Sequence, residues 1–235
     1  MLRVRDLHVS YGKVSVLRNV SLEVDAREIV SIIGSNGSGK TTLLKAILGQ
    51  VTQHRGSMEF LDKNLDGLAT HERVQLGIGY VPEGRGIFPN MTVLENLEVA
   101  VSIWTRDGKI RKERIDGALE MFPILADRRK QKAGALSGGE AQMLAIGRCL
   151  VGNPRLMMFD EPSLGLAPII VAKILERIKE INQRGITVIL VEQNVRHSLE
   201  ISHRGYVLEN GEIALKDRSH ELLKNEHIKR AYLGL

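Results

Sequence analysis

The chain carries Gly34-Ser35-Asn36-Gly37-Ser38-Gly39-Lys40-Thr41 directly after an apolar run, Ile29–Ile33, and before a segment of helical composition, Thr41–Leu48. The stretch matches the pattern G-x-x-x-x-G-K-[ST]. In such a loop the glycines let successive backbone N–H groups point into one concavity, where they bind phosphates. The lysine contacts the β- and γ-phosphates, and the hydroxyl that follows ligates Mg²⁺. An ordinary glycine turn would need neither side chain, so the stretch indicates a nucleoside triphosphate site that includes Lys40 and Thr41.

Composition excludes several classes of protein. The 235 residues are 43% apolar and 26% charged, which is typical of a globular chain. A single cysteine excludes an internal disulfide or a cysteine metal cluster. With 4% aromatic residues a base-stacking surface is excluded too, so we expect no nucleic-acid partner. No apolar run approaches the roughly 20 residues that span a bilayer, and the first residues lack a signal-peptide core. We therefore expect a cytoplasmic location.

Strands and helices alternate along most of the chain. Apolar and β-branched segments predict strands at Leu2–Val9, Val16–Val24, Ile29–Ile33, Met58–Leu61, Ile78–Val81, Leu156–Phe159 and Ile186–Val191. Between residues 90 and 150 the pattern is helical, which suggests an inserted helical subdomain. Pro168–Arg184 is typical of a helix, and Asn210-Gly211 of a type I′ hairpin turn. The alternation predicts an α/β fold.

Capping signals bound the helices between residues 90 and 150. A serine or threonine followed three residues later by a glutamate, the capping-box pattern, occurs at Thr92 and at Ser137. The helices are expected, in chain order, at Thr92–Ile103, Arg111–Met121 and Ala141–Leu150, with a turn at Asp107-Gly108. Pro123 is expected to end the second of them.

Two acids follow the apolar strand Leu156–Phe159. Asp160 is placed to hold Mg²⁺, usually through water, as in other phosphate-loop enzymes. Glu161 is the candidate to orient and deprotonate an attacking water. Adjacent strand residues face opposite ways, so the two acids need not share a role. The alternative is a merely polar strand end before Pro162, which the phosphate loop upstream disfavours.

The stretch Leu136-Ser137-Gly138-Gly139-Glu140 resembles the LSGG[QE] signature of ABC-type ATPases. It lies between the phosphate loop and the strand that precedes Asp160, as in that family. The resemblance implies a phosphate-loop NTPase fold of ABC type in a single domain. Its core would comprise residues 1–89 and 151–235, with a mixed or parallel sheet and an N-terminal antiparallel β subdomain. The signature would lie in a helical subdomain at residues 90–150.

The same resemblance implies ATP and Mg²⁺ as ligands. The phosphate-binding stretch would run from Gly34 through Thr42. Ser137 caps a helix whose first N–H groups suit an anion. The resemblance implies that four residues contact the γ-phosphate of the ATP bound by a second subunit: Ser137, Gly138, Gly139 and Glu140. Because the chain has one copy of each motif, two subunits would sandwich two ATP molecules. Tyr11 matches the aromatic residue that stacks on adenine; simple packing is the alternative for it.

Three positions depart from the usual family pattern. Glu83 stands where most members have a glutamine, and its carboxylate is also a hard oxygen ligand for Mg²⁺. Gln193 stands where a histidine is usual; its amide can donate to a γ-phosphate but cannot relay a proton. Ala167 stands where the family has an acidic residue in the loop after Glu161, so the resemblance does not extend to communication between subunits through that loop.

Together with these departures, four segments resemble the smaller ATP-binding subunit of bacterial branched-chain amino-acid importers: Val81–Arg85, Ser163–Pro168, Glu192–Asn194 and Ala231–Gly234. As partners this implies a second ATP-binding subunit, integral membrane permease subunits and, indirectly, a periplasmic binding protein. The chain would lie peripherally at the cytoplasmic face of the cell membrane, with a helical segment at about Gly84–Asn96 contacting the permease. The alternatives are a transporter for another substrate and a non-transport ABC ATPase.

Overall fold

Two sheets and a set of helices build the molecule. The computed structural model describes residues 1–51 and 53–233, so Gly234 of the C-terminal motif lies outside the described residues. The strands are β1 (Leu2–Tyr11), β2 (Val14–Val24), β3 (Ile29–Ile33), β4 (Gln53–Phe60), β5 (Lys63–Asn64), β6 (Ile78–Val81), β7 (Leu156–Asp160), β8 (Thr187–Val191), β9 (Arg204–Glu209) and β10 (Glu212–Arg218). The helices are α1 (Lys40–Leu48), α2 (Thr70–Gln75), α3 (Val93–Ser102), α4 (Gly108–Met121), α5 (Pro123–Asp127), α6 (Gly138–Leu150), α7 (Pro168–Gln183), α8 (Val195–Ile201), α9 (Ser219–Leu222) and α10 (Glu226–Ile228). A 3₁₀ turn at Ala133–Ala135 and a π-helical turn at Lys229–Leu233 complete the described elements.

The larger sheet has the strand order β10-β9-β3-β8-β7-β6. Its strands run parallel except β10, which pairs antiparallel with β9. Every residue of β3, β7 and β8 is buried, as expected for parallel strands covered on both faces. The mixed sheet confirms the predicted α/β class. Parallel strands end at one edge of the sheet, so the loops after β3, β6, β7 and β8 all begin there.

The smaller sheet has the order β2-β1-β4-β5, and all of its neighbouring strands are antiparallel. Strand β1 lies between β2 and β4, and its first residue, Leu2, pairs with Val24 on one side and Phe60 on the other. The sheet confirms the expected N-terminal antiparallel β subdomain. Tyr11, the last residue of β1, pairs with Val14 at the hairpin end and is 49% exposed.

Helices α3 to α6 pack on one another. They share a buried apolar cluster that includes Leu97, Val101, Ile115, Leu125 and Leu144. Both predicted capping boxes are confirmed, because Thr92 accepts from the Glu95 N–H and Ser137 from the Glu140 N–H. None of the described helices has both the length and the apolar character that crossing a bilayer requires. The subdomain boundaries at residues 90 and 150 stay a prediction.

Helix α4 starts earlier than expected, at Gly108 instead of Arg111. The Asp107 carboxylate accepts from the backbone N–H groups of Lys109 and Ile110, at 2.8 and 3.2 Å. Asp107 is therefore the N-cap of this helix, and the interpretation of residues 107–108 as a separate turn is wrong.

Two other helix predictions need correction. Pro123 follows the end of α4 but also opens the short helix α5, where a missing N–H costs nothing. The segment Gly84–Asn96 is helical only from Val93 onward. Ahead of that residue, Arg85 and Gly86 have φ values of 62° and 63°, which are incompatible with a right-handed helix.

Candidate functional site

The phosphate loop connects β3 to α1. Gly37 and Gly39 have φ values of 80° and 109°, a region that favours glycine. A Cβ on Gly39 would lie 2.6 Å from a methyl carbon of Leu17. The Ser38 hydroxyl is buried, and no hydrogen-bond partner is found for it within the described part of the chain. An unpaired buried hydroxyl costs about 1–3 kcal/mol, so the loop fits a ligand that brings an oxygen acceptor, as a phosphate does.

The Lys40 ammonium lies inside this loop. It donates to the carbonyl oxygens of Gly34 and Ser35, at 2.9 and 3.0 Å, and is 3.9 Å from Glu161 Oε1. The side chain is 4% exposed. This burial lowers the pKa of Lys40, while the nearby carboxylates oppose that effect. Because an ammonium has three donors, it retains one for a phosphate oxygen.

Asp160, the last residue of β7, is almost wholly buried. Its Oδ1 accepts from the Thr41 hydroxyl at 3.0 Å, and its Oδ2 from the Tyr80 hydroxyl at 2.8 Å. Burial and then the Asp160 charge raise the pKa of Tyr80. Tyr80 therefore stays a neutral donor that fixes the orientation of the carboxylate.

The Thr41 hydroxyl and the Asp160 carboxylate are adjacent hard oxygen donors, a set that fits Mg²⁺. Across residues 1–51 and 53–233 there is no group of three or more His, Cys, Asp or Glu side chains that could hold a metal ion. Magnesium commonly combines one or two protein carboxylates with phosphate oxygens and water. A magnesium ion here would therefore depend on a bound nucleotide.

Glu161 follows the end of β7 and has a φ of 48°. Because Glu161 lies beyond the strand, strand alternation does not set its direction relative to Asp160, and separate roles for the two acids stay a prediction. The Gln193 amide donates to Glu161 Oε2 at 2.6 Å. Burial raises the pKa of Glu161, and this outweighs the lowering by Gln193 and Lys40. A carboxylate in this environment is suited to accept a proton.

One cavity at the carboxyl edge of the six-stranded sheet brings together the phosphate loop, Glu161 and Gln193. It measures about 380 Å³ and is lined by Val16, Asn36, Gly37, Gly39, Lys40, Thr41, Thr42, Glu83, Glu161 and Gln193. Asp160 lines a larger cavity, which shares Thr41 and Glu83 with this one. Glu83 follows β6 and Gln193 follows β8, so the parallel strands bring both to the phosphate loop. The smaller cavity has the size and the convergent polar groups of a small-molecule site.

The remaining predicted residues do not line this cavity. Tyr11 is exposed at the end of β1. Ser137 is exposed at the start of α6, where its N–H donates to Glu140 Oε2 at 2.8 Å, and Glu140 pairs with Arg128 at 2.9 Å. A Cβ on the buried Gly139 would lie 2.5 Å from Ile170. Within one chain the signature stretch and the phosphate loop do not share a cavity, so their joint action stays a prediction.

Sequence reasoning missed two residues of the site. For Tyr80 the sequence predicts only a position in a strand, whereas in the structure its hydroxyl donates a hydrogen bond to Asp160. Glu192 is 2% exposed and accepts from the backbone N–H and hydroxyl of Ser163, at 3.0 and 2.7 Å. Burial raises the pKa of Glu192. Glu192 thus ties the loop after Glu161 to the segment that carries Gln193.

Comparison with known proteins agrees with this geometry. A family model described as ABC transporter matches residues 17–164. The chain is 44% identical to the "High-affinity branched-chain amino acid transport ATP-binding protein BraG" of Pseudomonas aeruginosa, over the whole of both chains. It is 40% identical to the "Probable branched-chain amino acid transport ATP-binding protein LivF" of Archaeoglobus fulgidus, over all of this chain and 99% of that one.

More distant matches extend the comparison. The "Lipopolysaccharide export system ATP-binding protein LptB" of Haemophilus influenzae is 36% identical over all of this chain and 97% of its own. A solved ATP-binding cassette, a dimer in a post-hydrolysis state bound to ADP and Pi, superposes with a TM-score of 0.84 at 28% identity. That match covers 93% of this chain and 99% of the solved one.

Proposed function

Because this chain belongs to the ABC transporter family of ATP-binding proteins, we propose that it hydrolyses ATP to drive the import of branched-chain amino acids. The observation that carries this proposal is the single cavity that gathers the phosphate loop, Glu161 and Gln193. We place the protein peripherally at the cytoplasmic face of the membrane, bound to permease subunits. A periplasmic binding protein would deliver the substrate to them.

The residues around the cavity have different roles in the proposed reaction. The loop N–H groups and Lys40 bind the phosphates of ATP. Glu161 takes a proton from water as the water oxygen attacks the γ-phosphorus, and the bond to the bridging oxygen breaks to leave ADP and phosphate. Gln193 orients the Glu161 carboxylate through the 2.6 Å hydrogen bond and reaches toward the γ-phosphate.

Thr41, Asp160 and Glu83 would hold Mg²⁺ beside the phosphates. The bound cation would stabilise charge that develops on the phosphate oxygens. Asp160 stays oriented by the Tyr80 hydroxyl, and Thr41 lies in hydrogen-bonding contact with Asp160 before any ligand arrives. The site therefore needs little rearrangement to accept the cation.

We assign Ser137, Gly138, Gly139 and Glu140 to the ATP of a second subunit. Ser137 is exposed and none of the four residues lines the cavity of its own chain, which supports this assignment, as does the dimeric state of the related cassette. Tyr11, exposed at the hairpin end, would stack on adenine.

A second and larger cavity suits the membrane partner. It measures about 680 Å³ and lies between the sheet and the helices. Its lining includes Pro82–Gly86, Phe88, Ile103 and Trp104, and also Thr41 and Asp160 of the proposed magnesium site. Phe88 and Ile103 are exposed apolar side chains, 42% and 71% accessible. Exposed apolar groups beside a cleft mark docking sites, so we place the permease contact here.

The substrate follows from the relatives named for branched-chain amino acid transport at 44% and 40% identity. The alternative is a transporter for another substrate, favoured by the 36% identity to a lipopolysaccharide export ATPase. Identifying the membrane proteins that co-purify with the chain from detergent-solubilised membranes separates these assignments. Recovery of ribosomes or DNA instead would favour a non-transport ABC ATPase.

The catalytic assignment is tested by Glu161→Gln, which keeps the shape of the side chain but removes the base. General-base catalysis contributes about 10²–10⁴-fold in rate, so phosphate release should fall by at least about 100-fold while ATP binding persists. Glu98→Gln, at an exposed carboxylate of α3, is the matched control and should release phosphate at the wild-type rate. Unchanged hydrolysis by the Glu161 variant would remove Glu161 from the mechanism.

A further inference from the structure

The described C-terminal turn reaches back to the phosphate loop. Tyr232 lies in the turn Lys229–Leu233, and its hydroxyl donates to Glu209 Oε1 at 2.8 Å. Burial and then the Glu209 carboxylate raise the pKa of Tyr232 to about 12, so the hydroxyl stays a neutral donor. Glu209 ends β9, the strand that pairs with β3 directly before the phosphate loop. A residue near the C-terminus is thus hydrogen-bonded to the strand end beside the loop.

Glu209 anchors this contact. His227 Nε2 lies 2.8 Å from the oxygen that accepts from Tyr232. The rings of His227 and Tyr232 meet edge to face, with centroids 6.5 Å apart. The hydrogen bond from His227 is the largest influence on the pKa of Glu209 and lowers it. His227, Glu209 and Tyr232, which we call the Glu209 network, therefore fix one another in place.

The strand register explains why Glu209 lies beside the loop. Strands β3 and β9 are parallel, and Ile33 pairs with Val207. Two residues further along each strand are Ser35 and Glu209. Both therefore emerge from the same edge of the sheet side by side.

The hairpin that contains Glu209 also contacts the loop directly. Gly34 lies so close to the Leu208 carbonyl oxygen that a Cβ at residue 34 would collide with it. The Gly211 N–H donates to the Ser38 carbonyl at 3.1 Å. The β9–β10 hairpin therefore supports the loop at residues 34 and 38, and the Glu209 network fixes the part of the hairpin between these two contacts.

Ser35 connects this support to the phosphate site. Its carbonyl accepts from the Lys40 ammonium at 3.0 Å and from the Ser38 N–H at 3.2 Å. We propose that Tyr232 is a positioning residue for ATP binding: by fixing Glu209 it holds the β9–β10 hairpin against the phosphate loop, whose Ser35 carbonyl accepts from the Lys40 ammonium. This inference rests on the proposed function of the loop. A loop that is ordered before its ligand arrives loses less conformational entropy on binding.

The test is Tyr232→Phe, which removes the hydroxyl and keeps the ring. We expect the KM for ATP to rise about two- to tenfold, the effect of losing one hydrogen bond, with kcat within about twofold of wild type. Tyr206→Phe is the matched control, because the Tyr206 hydroxyl donates to the Glu23 carbonyl at 3.0 Å, away from the loop. Phosphate release at varied ATP concentration gives both constants, and thermal unfolding gives the stability of each variant.

The outcomes separate the two proposals. A Tyr232→Phe protein with the wild-type KM overturns the positioning role and leaves the proposed ATPase function intact. An equal rise in KM for both tyrosine variants overturns it too, because the effect would then follow stability. Adding Glu209→Ala to Tyr232→Phe should raise KM little further, and fully additive effects would contradict a shared network. A wild-type protein that neither binds nor hydrolyses ATP defeats the proposed function and this inference with it.

Discussion

Lys40 is the residue on which phosphate binding depends most directly, because its buried ammonium already lies among the loop carbonyls. Lys40→Ala should weaken ATP binding about tenfold to a hundredfold, since a hydrogen bond from a charged group contributes about 1.5–3 kcal/mol. Isothermal titration calorimetry with MgATP measures the change. Lys45→Ala, on the same helix but beside the larger cavity, should bind like the wild type. Equal losses in both variants would contradict the role of Lys40.

Individual residues of the site differ in how far the sequence predicts them. Lys40 and Glu161 can be singled out because each belongs to a short contiguous pattern, a glycine-rich loop or the end of an apolar strand. Tyr80 and Glu192 cannot, because their partners are 80 and 29 residues away along the chain. Those contacts exist only once β6, β7 and β8 lie side by side. No periodic pattern in the nearby sequence indicates the roles of Tyr80 and Glu192.

Among the elements, β3 and β9 are linked by a partly buried ion pair at their amino ends. Arg204 donates to both oxygens of Glu28, at 2.5 and 2.8 Å. Burial of Glu28 raises its pKa, but the Arg204 hydrogen bonds and charge, with the Asp25 N–H, outweigh this and leave it below its ordinary value of 4.5. The pair therefore contributes stability in full above pH 4.5, and this contribution is lost as the pH falls through the lowered pKa.

We therefore expect Glu28→Gln to lower stability at pH 7 by on the order of 1–2 kcal/mol, or about 2–8 °C in Tm for a chain of this size. At pH 3 the difference from wild type should be smaller, because the contribution of the Glu28 carboxylate is progressively lost as the pH falls below 4.5. Thermal unfolding followed by circular dichroism at both pH values measures this, with Glu98→Gln as the exposed control. A deficit that grows toward acid pH would show that the sign of the pKa shift is wrong.

Elements with local signals were predictable from sequence, and those set by tertiary context were not. The starts of α3 and α6 follow from their capping boxes, and the β9–β10 hairpin from Asn210-Gly211, whose φ values are 49° and 83°. Helices α2 and α5 are six and five residues long, too short for a periodic apolar face to be recognised. The resemblance predicts a helical segment after Glu83, whereas positive φ angles at Arg85 and Gly86 exclude a helix there.

For the molecule as a whole, the proposed ATPase mechanism requires two subunits. The Ser137 helix end does not line the cavity at the phosphate loop, so in the proposed mechanism a second copy or a related ATP-binding subunit brings the two onto one nucleotide. A ligand that contacts both surfaces stabilises the paired state by mass action. Pairing should therefore depend on ATP and persist when hydrolysis is blocked.

The most direct measurement is the mass in solution of the Glu161→Gln protein with and without MgATP, by light scattering. It should be monomeric without nucleotide and should double in mass with ATP, alone or mixed with its partner ATP-binding subunit. Ser137→Arg, placed on the Glu161→Gln background, should abolish the pairing but leave ATP binding intact. A protein that binds MgATP and stays monomeric under all of these conditions would contradict the account.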